Sequence, residues 1–231
     1  GFNQIANNLA KTYYRWGQNS DVVVRMPTGG GTAAGPFHSQ SNEAWFFHIP
    51  GLKIVYPSTP SDAKGLLLAS FEDPNPVLFF EHKGLYRSLR EEVHTAEYTI
   101  PIGKARWVQK GEEITFITYG LGVQWCDEVV QELGLDATIL DLRTLMPWDK
   151  ESVRDAVARS GKVIIVHEDT LTGGIGGEIA AWVAEHCFTS LDAPVMRIGS
   201  LDTPIPFNAD LEANFMGKSR LKSKVEKLIA W

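Results

Sequence analysis

The sequence predicts an open α/β fold in two units. Two observations carry that reading. Short β-branched runs alternate with amphipathic stretches along most of the chain, and strands separated by helices pair in parallel with helices on both faces. A polar, weakly periodic stretch, "LREEVHTAEYTIPIGKARWVQKGEE", interrupts the alternation and divides the chain into a unit over 1–88, a linker over 89–102 and a unit over 103–231. A chain of 231 residues is long enough for one large domain or two small ones.

The first unit opens with "FNQIANNLAKTYYRWG", which reads as an amphipathic helix. "DVVVRMP" follows as a buried strand closed by proline. A glycine-rich loop comes next, with Gly29, Gly30, Gly31 and Gly35, and then a helix starting near Ser39 or Ser41 with Glu43 in its first turn. "LKIVYP" is a strand. "TPSDAKGLLLASF" is a helix with Ser61 as N-cap and Asp62 just inside it, and "NPVLFFEH" is a strand. The unit is short for a complete doubly wound domain and the chain starts within a helix, so a fragment with further strands upstream is expected.

The second unit repeats the alternation more regularly. Strands are expected at "ITFITYG", "ATILDLRT", "KVIIVHED" and "PVMRIG", with helices between them at "VQWCDEVVQEL", "KESVRDAVARS" and "GGEIAAWVAEHC". Gly134 and Gly161 stand where helix C-caps want glycine. Every helix is flanked by strands, so 103–231 is expected to fold independently.

Composition excludes several functions. The 44% of hydrophobic and 22% of charged residues are a globular balance that argues against disorder. A net charge of −6 leaves no basic footprint for nucleic acid. No apolar run reaches the length of a membrane span, and no targeting segment is present. Cys126 and Cys187 fall on different helices without metal-ligand spacing and read as buried free thiols.

Several clusters invite a functional reading. His38, in "GPFHSQSNEAWF", sits in a glycine-flanked loop after a strand, where backbone can approach a ligand closely and an imidazole can shuttle protons near neutral pH. A loop histidine bonded to backbone is the alternative. The glycine run lacks the Lys-Ser/Thr pair of a P-loop. "TGGIGGE" fails G-x-G-x-x-G, because Ile179 stands at the third glycine, and suggests tight strand-to-helix packing or a close subunit contact. In "ASFEDPNPV", helix-end carbonyls of Ser70 and Phe71 with side-chain oxygens of Asp73 and Asn75 would suit a group I or II cation; a plain turn is the alternative. His167, Glu168 and Asp169 end a strand and read equally as an acid/base cluster or as a group facing a subunit interface. His48, His82, His94 and His186 have no local partners in the sequence.

The long stretch from His38 to Arg87, "HSQSNEAWFFHIPGLKIVYPSTPSDAKGLLLASFEDPNPVLFFEHKGLYR", with "DLRTLMPWD", "HEDTLTGGIGGEI" and "DTPIP", strongly resembles the beta subunit of thiamine-diphosphate-dependent 2-oxo acid dehydrogenases, the decarboxylating components of the pyruvate and branched-chain complexes. The resemblance covers nearly the whole chain. It implies a partial pyrimidine-binding, transketolase-like domain followed by a transketolase C-terminal-type domain. It implies an alpha subunit or alpha region, a second beta chain and a lipoyl acyltransferase core as partners. Thiamine diphosphate and Mg2+ would be shared with the alpha part. The compartment implied is bacterial cytoplasm or mitochondrial matrix.

On the matching positions, His38 falls on the family's active-site histidine in the H-S-Q motif and is expected to assist proton transfer during reductive acylation of lipoamide. Ser70, Phe71, Asp73 and Asn75, with the backbone carbonyl of Val22, match the ligands of a structural potassium ion. The family's glutamate that bonds the aminopyrimidine has no match in this chain, so the chain alone is expected to be inactive. "DLRTLMPWD", "HEDTLTGG" and "DTPIP" look closer to the branched-chain (2-oxoisovalerate) type than to pyruvate enzymes. The alternatives are a pyruvate dehydrogenase beta subunit, another enzyme of the transketolase class, or a non-catalytic assembly module.

Overall fold

A computed structural model describes residues 1–231. A π-helical segment, Gln4–Leu9, runs into α1 (Ala10–Trp16), which ends on Gly17 in the left-handed region. Then come β1 (Val23–Thr28), α2 (Gly35–His38), α3 (Ala44–Phe47), β2 (Lys53–Val55), α4 (Pro60–Glu72), β3 (Val77–His82) and α5 (Leu85–Ser88). The expected helix at Ser39 or Ser41 is replaced by two four-residue helices. Pro36 in the first turn starts α2 earlier than expected, and the chain leaves helical geometry at Ser39 before re-entering it at Ala44. The N-cap of α4 is Thr59, whose side chain accepts from the Asp62 N–H, and not Ser61; Pro60 at the first helical position is the signal.

The second unit holds β4 (Arg106–Gln109), β5 (Ile114–Thr118), α6 (Gly122–Leu133), β6 (Ala137–Asp141), β7 (Thr144–Met146), α7 (Lys150–Ser160), β8 (Val163–Thr170), α8 (Ile175–His186), a 3-10 turn at Phe188–Ser190, β9 (Met196–Ser200), α9 (Ala209–Phe215) and α10 (Lys218–Ile229). Its sheet has the order β4-β6-β5-β8-β9, parallel except for the antiparallel edge β4. Helices α6 and α10 pack together, and α7 and α8 form the other helical pair on the sheet. Gly134 and Gly161 cap α6 and α7 in the left-handed conformation, as the sequence suggests.

The first sheet has the order β1-β3-β2-β7. Strands β1, β3 and β2 are parallel, and β7 joins antiparallel to β2. Thus "ATILDLRT" is two strands in two sheets. Arg143 makes the break: it sits at φ 53, and its guanidinium holds Asp62 at 2.9 Å while donating to the Lys104 and Ala105 carbonyls. The 89–102 segment also docks, with the Ile100 N–H donating to the Gly65 carbonyl at 3.1 Å.

The two units share their core. One cluster of 25 buried residues runs from Ile54, Leu78 and Phe80 under the first sheet to Leu140, Ile165 and Val183 in the second unit. A smaller cluster, including Phe116, Trp125, Ile164 and Val225, fills the other face of the second sheet. Cys126 and Cys187 are both free and buried.

Candidate active site

His38 ends α2 with its side chain exposed and without a hydrogen-bond partner in the chain. The loop that presents it is closed at its base: Thr28 Oγ1 donates to the Gln40 carbonyl at 2.7 Å, and Gly29 N–H donates to the same carbonyl at 3.0 Å. Two glycines are sterically required. Gly29 has φ 93, and a Cβ there would lie 2.2 Å from the His82 ring; Gly35 has φ 74, and its Cβ would lie 2.2 Å from the Phe207 ring.

The second unit supplies the anchors. Glu168 at the end of β8 accepts from Gly30 N–H at 2.6 Å and from Ser41 Oγ at 3.0 Å, one anchor on either side of His38. Its other oxygen meets His82 Nε2 at 2.6 Å. Gly84 N–H donates to His82 Nδ1 at 3.1 Å, which fixes the proton on Nε2, facing Glu168. Burial works to raise the Glu168 pKa, but His82 and the loop donors outweigh it and hold the carboxyl below its ordinary range. Glu212 on α9 accepts from Ala33 N–H at 2.9 Å. Ala33 itself is at φ 50, so this anchor holds a backbone conformation that alanine rarely adopts.

Beneath the loop lies a cavity of 170 Å³, with Ser39, Ser41, Glu168 and Asp169 in its wall. Beside it, Glu43 is fully buried and accepts from Tyr119 OH at 2.9 Å. Burial, with the neighbouring Asp169, raises its pKa far above the carboxylate range. Burial also pushes Asp169 up to about 6, although Thr170 N–H donates to it at 2.7 Å. His167 is buried and held neutral, its pKa lowered to about 4 by burial. So "HED" is neither a free acid/base set nor an external interface. Glu168 is an anchor for the loop, Asp169 borders the cavity, and His167 packs under α8. His82, unremarkable in the sequence, is part of the anchor.

The suspected cation ligands lie at the other end of the first sheet. Asp73 caps α4, accepts from Asn75 N–H and Nδ2, each at 2.9 Å, and pairs with Lys53. The Val22 carbonyl accepts from Val77 N–H at 3.0 Å, and Ser70 Oγ donates back to the Leu66 carbonyl at 2.7 Å. Phe71 projects its ring outward, so only its carbonyl is a candidate ligand. Asp73 and Asn75 are therefore brought together, with a lysine ammonium already on the carboxylate, while the Val22 carbonyl is engaged by Val77. No three His, Cys, Asp or Glu side chains converge elsewhere as a metal cluster.

The acids near the loop are engaged to different degrees. Glu81 is held by Arg25 and Tyr86, and Glu168 by His82 and the loop, whereas Glu43 and Glu212 each bond through one oxygen, to Tyr119 and Ala33, and bury the other without a partner.

Comparison with known proteins agrees with this fold. Residues 1–88 match the transketolase pyrimidine binding domain, and residues 103–220 match the transketolase C-terminal domain. The chain is 48% identical over 222 residues to the 2-oxoisovalerate dehydrogenase subunit beta of Bacillus subtilis, covering 93% of this chain and 67% of that protein. It is 46% identical to the mitochondrial 2-oxoisovalerate dehydrogenase subunit beta of Dictyostelium discoideum, over 89% of this chain and 57% of that one. It is also 46% identical to the pyruvate dehydrogenase E1 component subunit beta of Porphyra purpurea, over 91% and 65%. The chain thus spans about two thirds or less of the length of these relatives. A solved split-gene transketolase, described as an inactive beta4 tetramer, matches with a TM-score of 0.77 over 99% of this chain and 71% of that one; at 21% identity it speaks for the fold alone.

Proposed function

The chain belongs to the beta-subunit family of the 2-oxo acid dehydrogenases, and from that premise we propose that it forms the beta part of a branched-chain 2-oxo acid dehydrogenase that passes its acyl group to lipoamide. The observation that carries this reading is the exposed, unpartnered His38 on a loop anchored on both sides by Glu168. Thiamine diphosphate, when bound with Mg2+, supplies the electron sink for decarboxylation. What this chain contributes is a proton donor. As the acyl group moves to one lipoyl sulfur, the other leaves as a thiolate, and a protonated ring nitrogen of His38 delivers the proton it needs. The anchored loop holds the imidazole at the site's mouth, where the lipoyl arm arrives, and the glycines keep the backbone narrow there.

An alpha subunit supplies the diphosphate and Mg2+ contacts in this reading. The relatives are longer than the matched region, and the aminopyrimidine acid belongs to a segment outside 1–231. A second beta chain covers the small-residue face of α8, where Ala180, Ala181 and Ala184 with Phe188 line an apolar groove. An acyltransferase core presents the lipoyl domain. A potassium ion carried by Val22, Ser70, Phe71, Asp73 and Asn75 braces the first unit.

The test is His38→Ala in the alpha/beta assembly. Lipoyl-dependent turnover should fall at least about tenfold, roughly 1.4 kcal/mol, with an unchanged melting temperature and with decarboxylation to an artificial electron acceptor largely retained. Full lipoyl-dependent activity in the variant would sink the proposal. The pyruvate reading has its own support in the Porphyra relative. A higher kcat/KM for pyruvate than for 2-oxoisovalerate in the same assembly would decide for it, and ketol transfer without any lipoyl domain would point to the transketolase class.

A further inference from the structure

The outer edge of the five-stranded sheet is β9, and there β9 and α10 enclose a groove of 420 Å³, remote from the His38 loop in the sequence and absent from its wall. Four cationic side chains line it, Arg197, Arg220, Lys224 and Lys227, against one carboxylate, Asp202. In a chain of net charge −6 this concentration runs against the composition. The rest of α10 makes the contrast clear. Lys218 pairs with Glu128 at 2.5 Å and Lys222 with Glu132 at 2.6 Å, whereas none of the four groove cations has a carboxylate partner.

Asp202 is the one counter-charge at the rim: Thr172 donates to both of its oxygens, through N–H at 2.9 Å and Oγ1 at 2.6 Å, and the Arg197 charge also acts on it. Arg220 is pinned by donating to the Gly199, Asn214 and Phe215 carbonyls, so its charge is fixed at the wall. Arg197 pairs in register with Ile165 and projects to the α8 face of the sheet, where it spends a single long bond of 3.3 Å on the Leu171 carbonyl.

A second, independent observation points to a ligand. Ser200 lines the same groove and is 2% exposed, yet its Oγ has no hydrogen-bond partner. Buried hydroxyls are almost always satisfied. Ser200 lies two residues beyond Ile198, which packs in the core with Leu221 and Val225 of α10, so strand alternation puts its side chain on the α10 face. It also ends a parallel strand, the edge of such sheets where ligands gather.

We infer that this groove binds a small phosphate-bearing molecule on its α10 side, with Lys224 and Lys227 pairing to phosphoryl oxygens and Ser200 Oγ donating to one of them. Ammonium and hydroxyl donors without an internal acceptor are a set that phosphate oxygens satisfy. The volume is that of a small-molecule site. The neighbouring lysines on α10 are neutralised by glutamates, so no basic surface continues outward for a nucleic acid or an anionic membrane. The inference does not depend on the catalytic reading.

The experiment titrates sodium pyrophosphate into the 231-residue chain by calorimetry, in metal-free buffer at ionic strength fixed with chloride. One saturable site is expected, with inorganic phosphate competing more weakly. Lys224→Gln/Lys227→Gln should weaken binding at least tenfold with an unchanged melting curve, and Ser200→Ala should weaken it severalfold. If the double variant melts early, Lys224→Gln and Lys227→Gln made singly carry the same comparison. Absence of saturation overturns the inference. So does pyrophosphate binding that survives these substitutions, or sulfate binding as tight as pyrophosphate, which would reveal charge attraction without a built site.

Discussion

The two sheets are made from the same alternation of strand and helix, yet they differ in how far each determines its own shape. The second unit has helices of 11 and 12 residues closed by left-handed glycines, and its central strands β5 and β6 are buried throughout. In the first unit α2 and α3 have four residues each, and β1 is half exposed along an unpaired edge. Where the first unit is irregular, side chains from the second hold it: Glu168 and Glu212 on the glycine loop, Tyr119 on Glu43, and Asp141 on Ser58 at 2.5 Å. The regular unit is a scaffold and the irregular one presents His38. The loop bearing His38 is therefore a joint product of both, and its shape should fail when an anchor in the other unit is lost.

The largest effect is expected where the units exchange buried charge. Asp62 meets Arg143 at 2.9 Å and Arg106 at 3.2 Å, and is 3% exposed. Asp62→Ala strips Arg143 of its carboxylate and leaves Arg106 to Asp141 alone, and should destabilise the fold by about 3 kcal/mol, read from the urea midpoint. A loss under 1 kcal/mol would mean that the units are not coupled through this pair. Glu168→Gln comes next. The amide keeps an acceptor for Gly30 and Ser41 but turns its N–H2 toward His82 Nε2–H, so one donor is stranded. About 2 kcal/mol should be lost, with faster hydrogen exchange at residues 29–41 and none at β5. Lipoyl-dependent turnover should fall with it, mimicking His38→Ala. Uniform exchange across both units would reduce Glu168 to a general stabiliser.

The same contrast governs what the sequence discloses. Glycine stops and apolar periodicity suffice for α6 and α7 because their boundaries are set locally. The segment 29–52 defeats that approach, since Pro36 starts a helix that ends after one turn and the rest is shaped by distant carboxylates. Glu168 meets Gly30 and Ser41 across 138 and 127 residues of chain, a separation that no local pattern encodes. The switch of β7 into the first sheet depends on Arg143 adopting φ 53, which an arginine rarely signals in advance. Family resemblance, by contrast, carries His38 and both transketolase-type domains without needing the helix boundaries.

A pH measurement separates the units further. Burial raises Asp169 to about 6 from an unfolded value near 4. The native state then binds the proton more tightly than the unfolded state. The associated stability is fully present below the unfolded value and is lost as pH rises through about 6. Asp169→Asn keeps an acceptor for Thr170 N–H and removes the buried charge. It should therefore stabilise the protein by about 1–2 kcal/mol at pH 7.5, and this gain should shrink toward pH 5. Calorimetric melting at the two pH values checks it, and a gain that grows toward acid would reverse the assignment.

The smallest effect concerns the far end of the first sheet, where the proposed potassium ligands lie. Lys53 already sits on Asp73, and with Asn75 it outweighs the burial that would otherwise raise that carboxyl's pKa. An entering cation must share or displace this ammonium, so potassium should stabilise the wild type weakly. At about five times its Kd, a ligand specific for the folded state adds only about 1 kcal/mol. Lys53→Met removes the competitor and leaves Asp73 with its Asn75 donors alone. The variant should be less stable in tetramethylammonium chloride, and it should recover more in potassium chloride than the wild type does at matched ionic strength. Because β1 and β3 both start beside this cluster, the recovery should appear as slower exchange in those two strands, with β5 and β8 unchanged. Identical melting curves in the two salts, for wild type and Lys53→Met alike, would mean that the lysine is the only cation this corner holds.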